Sequence, residues 1–158
     1  MKSRINKIIS NFKTVYASEP WYGDSLQSIL KNVNPKTIFS KAGKNSHSIA
    51  ELLAHIIDCR DFTLRSISGD DNSELSQTKS FNWKRIDNNE NTAWQSLLGA
   101  LEKNQNEILN ILQQSGDDLL DEKVHGKNYN NDFLLEGIIQ HDIYHIGQIS
   151  ILNRILNG

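Results

Sequence analysis

The chain has 158 residues, a net charge of −2 and 37% hydrophobic residues, with acidic and basic side chains mixed along its length. That size supports a substantial core without disulfides. The composition excludes a polybasic nucleic-acid surface and an acidic solvating tail. One cysteine, Cys59, excludes an intrachain disulfide frame and fits a reducing cytoplasm. The start, MKSRINKIIS, lacks the apolar run of a signal peptide, and no stretch approaches the roughly 20 apolar residues of a membrane span. The expectation is one cytoplasmic domain over residues 1–158, with no nucleic-acid partner and no membrane partner.

In chain order, Ile5, Ile8, Ile9, Phe12, Val15 and Tyr16 recur at helical spacing and predict an amphipathic helix that stops near Ser18, ahead of Pro20. A second run, with Trp21, Leu26, Ile29, Leu30 and Val33, ends before Pro35, which disfavours the α region at Asn34. Residues 34–47 read as a polar loop. Ser48 and Glu51 have capping-box spacing and open a helix whose apolar face carries Ile49, Leu52, Leu53, Ile56, Ile57, Phe62 and Leu64, with Gly69 as its stop. Residues 70–87 form a second polar loop, containing Phe81 and Trp83, and Asp87 and Glu90 are candidate caps for the next helix. That helix carries Trp94, Leu97, Leu98, Leu101, Ile108, Ile111 and Leu112 and ends at Gly116. Residues 117–130 are acidic and irregular. Asn130 or Asn131 caps a last helix that runs to about Leu156 through Phe133, Leu134, Ile138, Ile139, Ile143, Ile146, Ile149, Leu152 and Ile155. No segment shows sustained period-2 alternation. The expected fold is all-α, a four-helix bundle with long connecting loops.

Within the last helix, His141 and His145 stand four apart, which places their imidazoles about 40° apart on one face and about 6 Å along the axis. The pair is a plausible half-site for a metal ion. His55 is the only other histidine well inside a predicted helix, so a facing-helix site needs it as third ligand. Three neutral imidazoles suit Zn²⁺, Ni²⁺ or Fe²⁺ and leave a position open for water or substrate. The competing reading, hydrogen-bonded core histidines, stays open on spacing alone. Other metal motifs fail. Asp142 stands where the zincin pattern HExxH needs glutamate, and Glu122 with His125 makes a lone E-x-x-H in a loop. His47, ahead of the capping serine, reads as solvent-facing.

The segment HDIYHIGQI resembles the C-terminal signature H-x-x-Y-H-x-G-Q-I of the DinB-like (damage-inducible, YfiT-related) helix-bundle proteins. PWYGDSLQSIL resembles that family's W-x-G-x-S-x-x-x-x-L segment, and SIAELLAHIIDCRDF its S-I-x-E-x-x-x-H-x-x-x-x-R/W segment. Trp83 and Trp94 match aromatic positions in the middle of the family's chain. The resemblance implies a four-helix core and a divalent-metal triad at His55, His141 and His145, with zinc or nickel the common ions. It also implies frequent homodimers. Some relatives are thiol S-transferases that use bacillithiol or mycothiol, and one related group isomerises maleylpyruvate.

Two functions follow as expectations. One is a metal-dependent transferase that joins a low-molecular-weight thiol to an electrophile. The other is a non-catalytic, metal-binding, dimerising bundle associated with stress. Metal-bound histidines usually donate their second N–H to a carboxylate or carbonyl, so Glu51 and Asp142 are candidate partners behind the ligands. Glu51 is read first as a cap, and Asp142 equally as a polar helix position. Tyr144 either lines the pocket or packs, with packing preferred. Gln148 is a pocket group or an interhelical bond, and Gly147 allows a helix to approach. Arg60 and Arg65 either bind carboxylates of a thiol cofactor or face solvent, with solvent preferred, and Cys59 reads as a buried inert thiol rather than a fourth ligand.

Overall fold

The computed structural model describes residues 3–70, 83, 86 and 91–158. Its helices are α1 (Arg4–Ala17), α2 (Leu26–Lys31), α3 (Ile49–Ser68), α4 (Asn91–Gln114), α5 (Asp118–Asp121) and α6 (Asn131–Asn157). Among the described residues the only strand-like pairing is an isolated bridge between Lys123 and Asn130. The all-α expectation holds.

Four long helices form the bundle. α1 and α3 each pack against both α4 and α6, so the order around the bundle is α1, α4, α3, α6. The α1–α3 and α4–α6 links therefore cross a diagonal, which explains why those connections are long. The short α2 lies against α1 and α6, and α5 lies against α6. Helices α3 and α6 run antiparallel: Ser66 bonds Asn131, Arg60 bonds Asp142 and His55 meets His141, so numbers rise along one helix as they fall along the other.

Local chemistry sets the ends. Ser48 and Glu51 make the expected capping box, and Gly69 closes α3 in the left-handed conformation at φ 71°. Asn130 caps α6 by accepting from the Phe133 N–H. At α1 the cap comes partly from far along the chain, because the Asp117 carboxylate accepts from the Arg4 and Ile5 N–H groups. Arg4 then bridges Asp121 and Asp132, tying α1 to α5 and α6. The apolar faces meet in one core that includes Phe12, Leu53, Ile56, Ile108, Leu112, Leu135 and Ile149, all fully buried.

Several expectations need correction. Trp21 is not on an apolar helix face. It is fully exposed in a turn closed by a Gly23 N–H to Pro20 carbonyl bond, with Gly23 at φ 133°, and α2 starts only at Leu26, after the extended Ser25. Phe133 and Ile155 are exposed, because apolar residues occur on nearly every side of α6 and periodicity does not single out its core face. The segment after Gly116 contains the one-turn α5, with Leu120 buried. Phe81 and the candidate α4 caps, Asp87 and Glu90, lie outside the described residues.

Candidate metal centre

His55 stands in the first half of α3, and His141 and His145 lie near the middle of α6. The antiparallel contact of the two helices brings the three imidazoles together. Nε2 of His141 is 3.1 Å from Nε2 of His55 and 3.1 Å from Nε2 of His145. One ring nitrogen from each lies within 4.8 Å of the others. His145 is buried, and the other two are half-buried.

The protons cannot be arranged to satisfy this cluster by itself. His145 donates its Nδ1–H to the Gln148 carbonyl oxygen, so its Nε2 presents a lone pair. The single Nε2 position of His141 must then serve two neighbours. With all three imidazoles neutral, every assignment leaves at least one 3.1 Å contact without a hydrogen of its own. A cation between three lone pairs satisfies all of them at once, and the spacing is compatible with nitrogen–metal bonds of about 2.0–2.1 Å. The residues therefore fit a metal ion.

The electrostatics agree. Burial, reinforced by His141 and His145, pushes His55 down to about 4. Burial also lowers His145, against the opposing effect of its bond to Gln148. Neutral imidazole is the ligand form.

Behind the triad, Asp142 is fully buried and holds Arg60, with Arg60 Nε 2.8 Å from Oδ2. Arg60 Nη2 reaches the same oxygen at 2.7 Å, at an angle that makes the contact coulombic rather than a hydrogen bond. Oδ1 of Asp142 is left without a hydrogen-bond partner, 3.8 Å from the equally unpartnered Nδ1 of His141. A shift of under about 1 Å would make that pair a hydrogen bond of normal length.

Arg60 is not solvent-exposed. It continues the inward stripe Ile49, Leu53, Ile56, Arg60, Thr63, Ile67, where every member is buried. Its charge is met by Asp142, by Gln105 Oε1 at 2.6 Å and by the rings of Phe12 and Tyr16. The stripe was legible at i, i+4, i+7 spacing, but the residue type argued against burial. Arg65 is half-buried.

Glu51 serves the cap and not the triad. Its carboxylate accepts from the Ser48 N–H and pairs with Lys41 at 2.9 Å and His47 at 3.4 Å. Burial pushes Glu51 up, yet Lys41, the Ser48 N–H and His47 together hold it below the usual range. Gln148 is the intrahelical partner of His145 rather than an interhelical link. Tyr144 is largely exposed, with its ring packed edge-on against His145 at 4.9 Å. Gly147 is exposed, and an added Cβ would meet nothing within 4 Å, so no described helix approaches it closely. Cys59 Sγ lies 3.9 Å from His55 Nε2, and burial pushes its thiol up to about 12, the inert form. Glu122 and His125 sit exposed in the loop after α5.

The sequence reading missed a cover over the site. Trp83 stacks on His55 at 4.2 Å between centroids and on His47 at 3.5 Å, and stands 5.9 Å from His145. His47 is thus half-buried in a stack rather than simply solvent-facing. An aromatic side chain in an otherwise polar connection was the available signal. No described helix is long and apolar enough to cross a membrane.

The family model for the DinB superfamily matches residues 23–149, a span that contains all three histidines. No curated protein and no solved structure gives a significant match.

Proposed function

The chain belongs to the DinB superfamily, and on that premise we propose that it is a divalent-metal protein. His55, His141 and His145 hold the ion through Nε2, and a low-molecular-weight thiol of the bacillithiol type is transferred to an electrophile at this centre. The observation that carries this reading is the convergence of three Nε2 atoms that hydrogen bonding among themselves cannot satisfy. Zinc and nickel suit the ligand set best, and iron is compatible with it.

A divalent ion held there favours the thiolate form of a thiol, which is the nucleophile. The protein's own groups prepare the site. Gln148 fixes the His145 tautomer, and Trp83 stacks on the face of His55. The buried Arg60–Asp142 pair supports the α6 backbone beside His141. In the transfer, a sulfur–carbon bond forms, the leaving group departs with its electron pair and the thiol proton passes to solvent. The expected homodimer has support in the outer face of α6, where Phe133, Tyr144, Ile151 and Ile155 are exposed. We place the protein in the cytoplasm on its single buried cysteine.

The test is turnover of a chloroarene with a low-molecular-weight thiol by metal-loaded protein. Activity lost on chelation and in His141→Ala supports the transferase. Stoichiometric metal with no turnover for any thiol tested overturns it and leaves the metal-binding bundle.

A further inference from the structure

A cavity of about 200 Å³ opens between α3 and α6 directly beside the triad. From α3 it is walled by Cys59, Phe62 and Thr63, at i, i+3, i+4 spacing. From α6 the wall is Leu134, Gly137, Ile138 and His141, again one helix face. His141 is a proposed ligand, and Cys59 Sγ lies 3.9 Å from Nε2 of another, His55. The inner end of the cavity is therefore the edge of the histidine cluster.

We infer that this cavity is the acceptor-substrate pocket, and that it takes a single uncharged aromatic ring presented edgewise to the triad. The inference rests on the transferase reading above. It adds which substrate class enters and where.

Volume sets the size. A dry cavity of about 150 Å³ lined by aliphatic and aromatic side chains takes a benzene ring, so about 200 Å³ accommodates a ring with a small substituent. The walls set the charge. Among the described residues no lysine, arginine, aspartate or glutamate lines the cavity, although Lys127 Nζ stands 6.0 Å from the centroid of the Phe62 ring. Thr63 turns its hydroxyl to the Cys59 carbonyl at 3.1 Å, away from any ligand. A carboxylate buried along these walls, away from the metal ligands, would lose its hydration without meeting a charged lining side chain. Ring geometry sets the preference for an aromatic guest. Phe62 lines the wall, and Tyr129 and Phe133 form a tilted pair at 5.2 Å, offering faces and edges to a third ring.

Gly137 makes the room. It lies mid-helix, between Leu134 and His141 on the lining face, and an added Cβ would meet nothing within 4 Å. A larger side chain there enters open space rather than the core, and loss of a mid-helix glycine favours helix formation.

Metal-loaded protein titrated with fluorobenzene, followed by ¹⁹F NMR, tests the pocket without reference to turnover. Saturable binding is expected, with cross-relaxation to protons of Phe62 and Ile138. In metal-free protein, where no ion can hold a carboxylate, benzoate is expected to bind at least tenfold more weakly than fluorobenzene, and in metal-loaded protein Gly137→Leu is expected to weaken fluorobenzene at least tenfold. If Gly137→Leu does not fold, the contacts to Phe62 and Ile138 in the natural protein still decide. No saturable binding, contacts elsewhere, or benzoate binding metal-free protein as well as fluorobenzene does overturns the inference. Binding without any turnover leaves the pocket standing and removes the transferase. Turnover without binding in this cavity does the reverse.

Discussion

Arg60 and Asp142, 82 positions apart, form a fully buried ion pair at 2.8 Å immediately behind His141. The pair fastens α3 to α6 at the level where the two helices share the histidines. Removing one partner leaves a buried charge, so Arg60→Met is expected to cost about 3–5 kcal/mol in urea unfolding. Arg60→Met with Asp142→Leu should recover most of that loss. A single substitution costing under about 1 kcal/mol would show that the pair is not buried in solution.

Gln148 bonds a ligand candidate of its own helix, His145. Its bond to His145 Nδ1 sets which nitrogen faces the cluster. Gln148→Leu is expected to raise the metal dissociation constant about 10–100-fold, measured against a chromophoric chelator, while the thermal midpoint changes little. An unchanged constant would remove Gln148 from the site.

The capping box predicts the opposite separation. Ser48→Ala removes the acceptor for the Glu51 N–H and should cost about 1 kcal/mol, read by denaturant unfolding, with metal stoichiometry preserved. Loss of metal at unchanged stability would contradict the assignment of Ser48 and Glu51 to the helix end.

Acid should destabilise the metal-free protein. An unfolded histidine takes up a proton near pH 6.5, whereas folded His55 resists until about pH 4. Between those values the unfolded chain binds more protons, so stability falls as pH falls through that window. His145 is lowered too and acts in the same sense. Thermal midpoints of metal-free protein should drop from pH 6.5 towards 4, and less steeply in His55→Gln. Equal slopes in the two proteins would show that His55 is not protected from protonation.

Much of this was legible before any coordinates. Apolar spacing at Ile5–Val15 and Ile49–Phe62 marked helices and their buried faces, because a helix facing one core must repeat with that period. The His141–His145 spacing and its match to a family signature gave the triad. What spacing does not encode is contact between distant segments. Asp117 capping α1, Trp83 over His55 and Arg60 reaching Asp142 depend on which helices become neighbours around the bundle. α6 hid its exposed stripe for a different reason: it is apolar on nearly every side, so Phe133 and Ile155 looked like core.

Metal content tests the central claim most directly. Elemental analysis after reconstitution and extensive dialysis should find one divalent ion per chain in the natural protein and almost none in the His55→Ala/His145→Ala double variant, with helical content retained. A natural protein that keeps no ion, or a double variant that keeps its ion, would contradict the three-histidine centre.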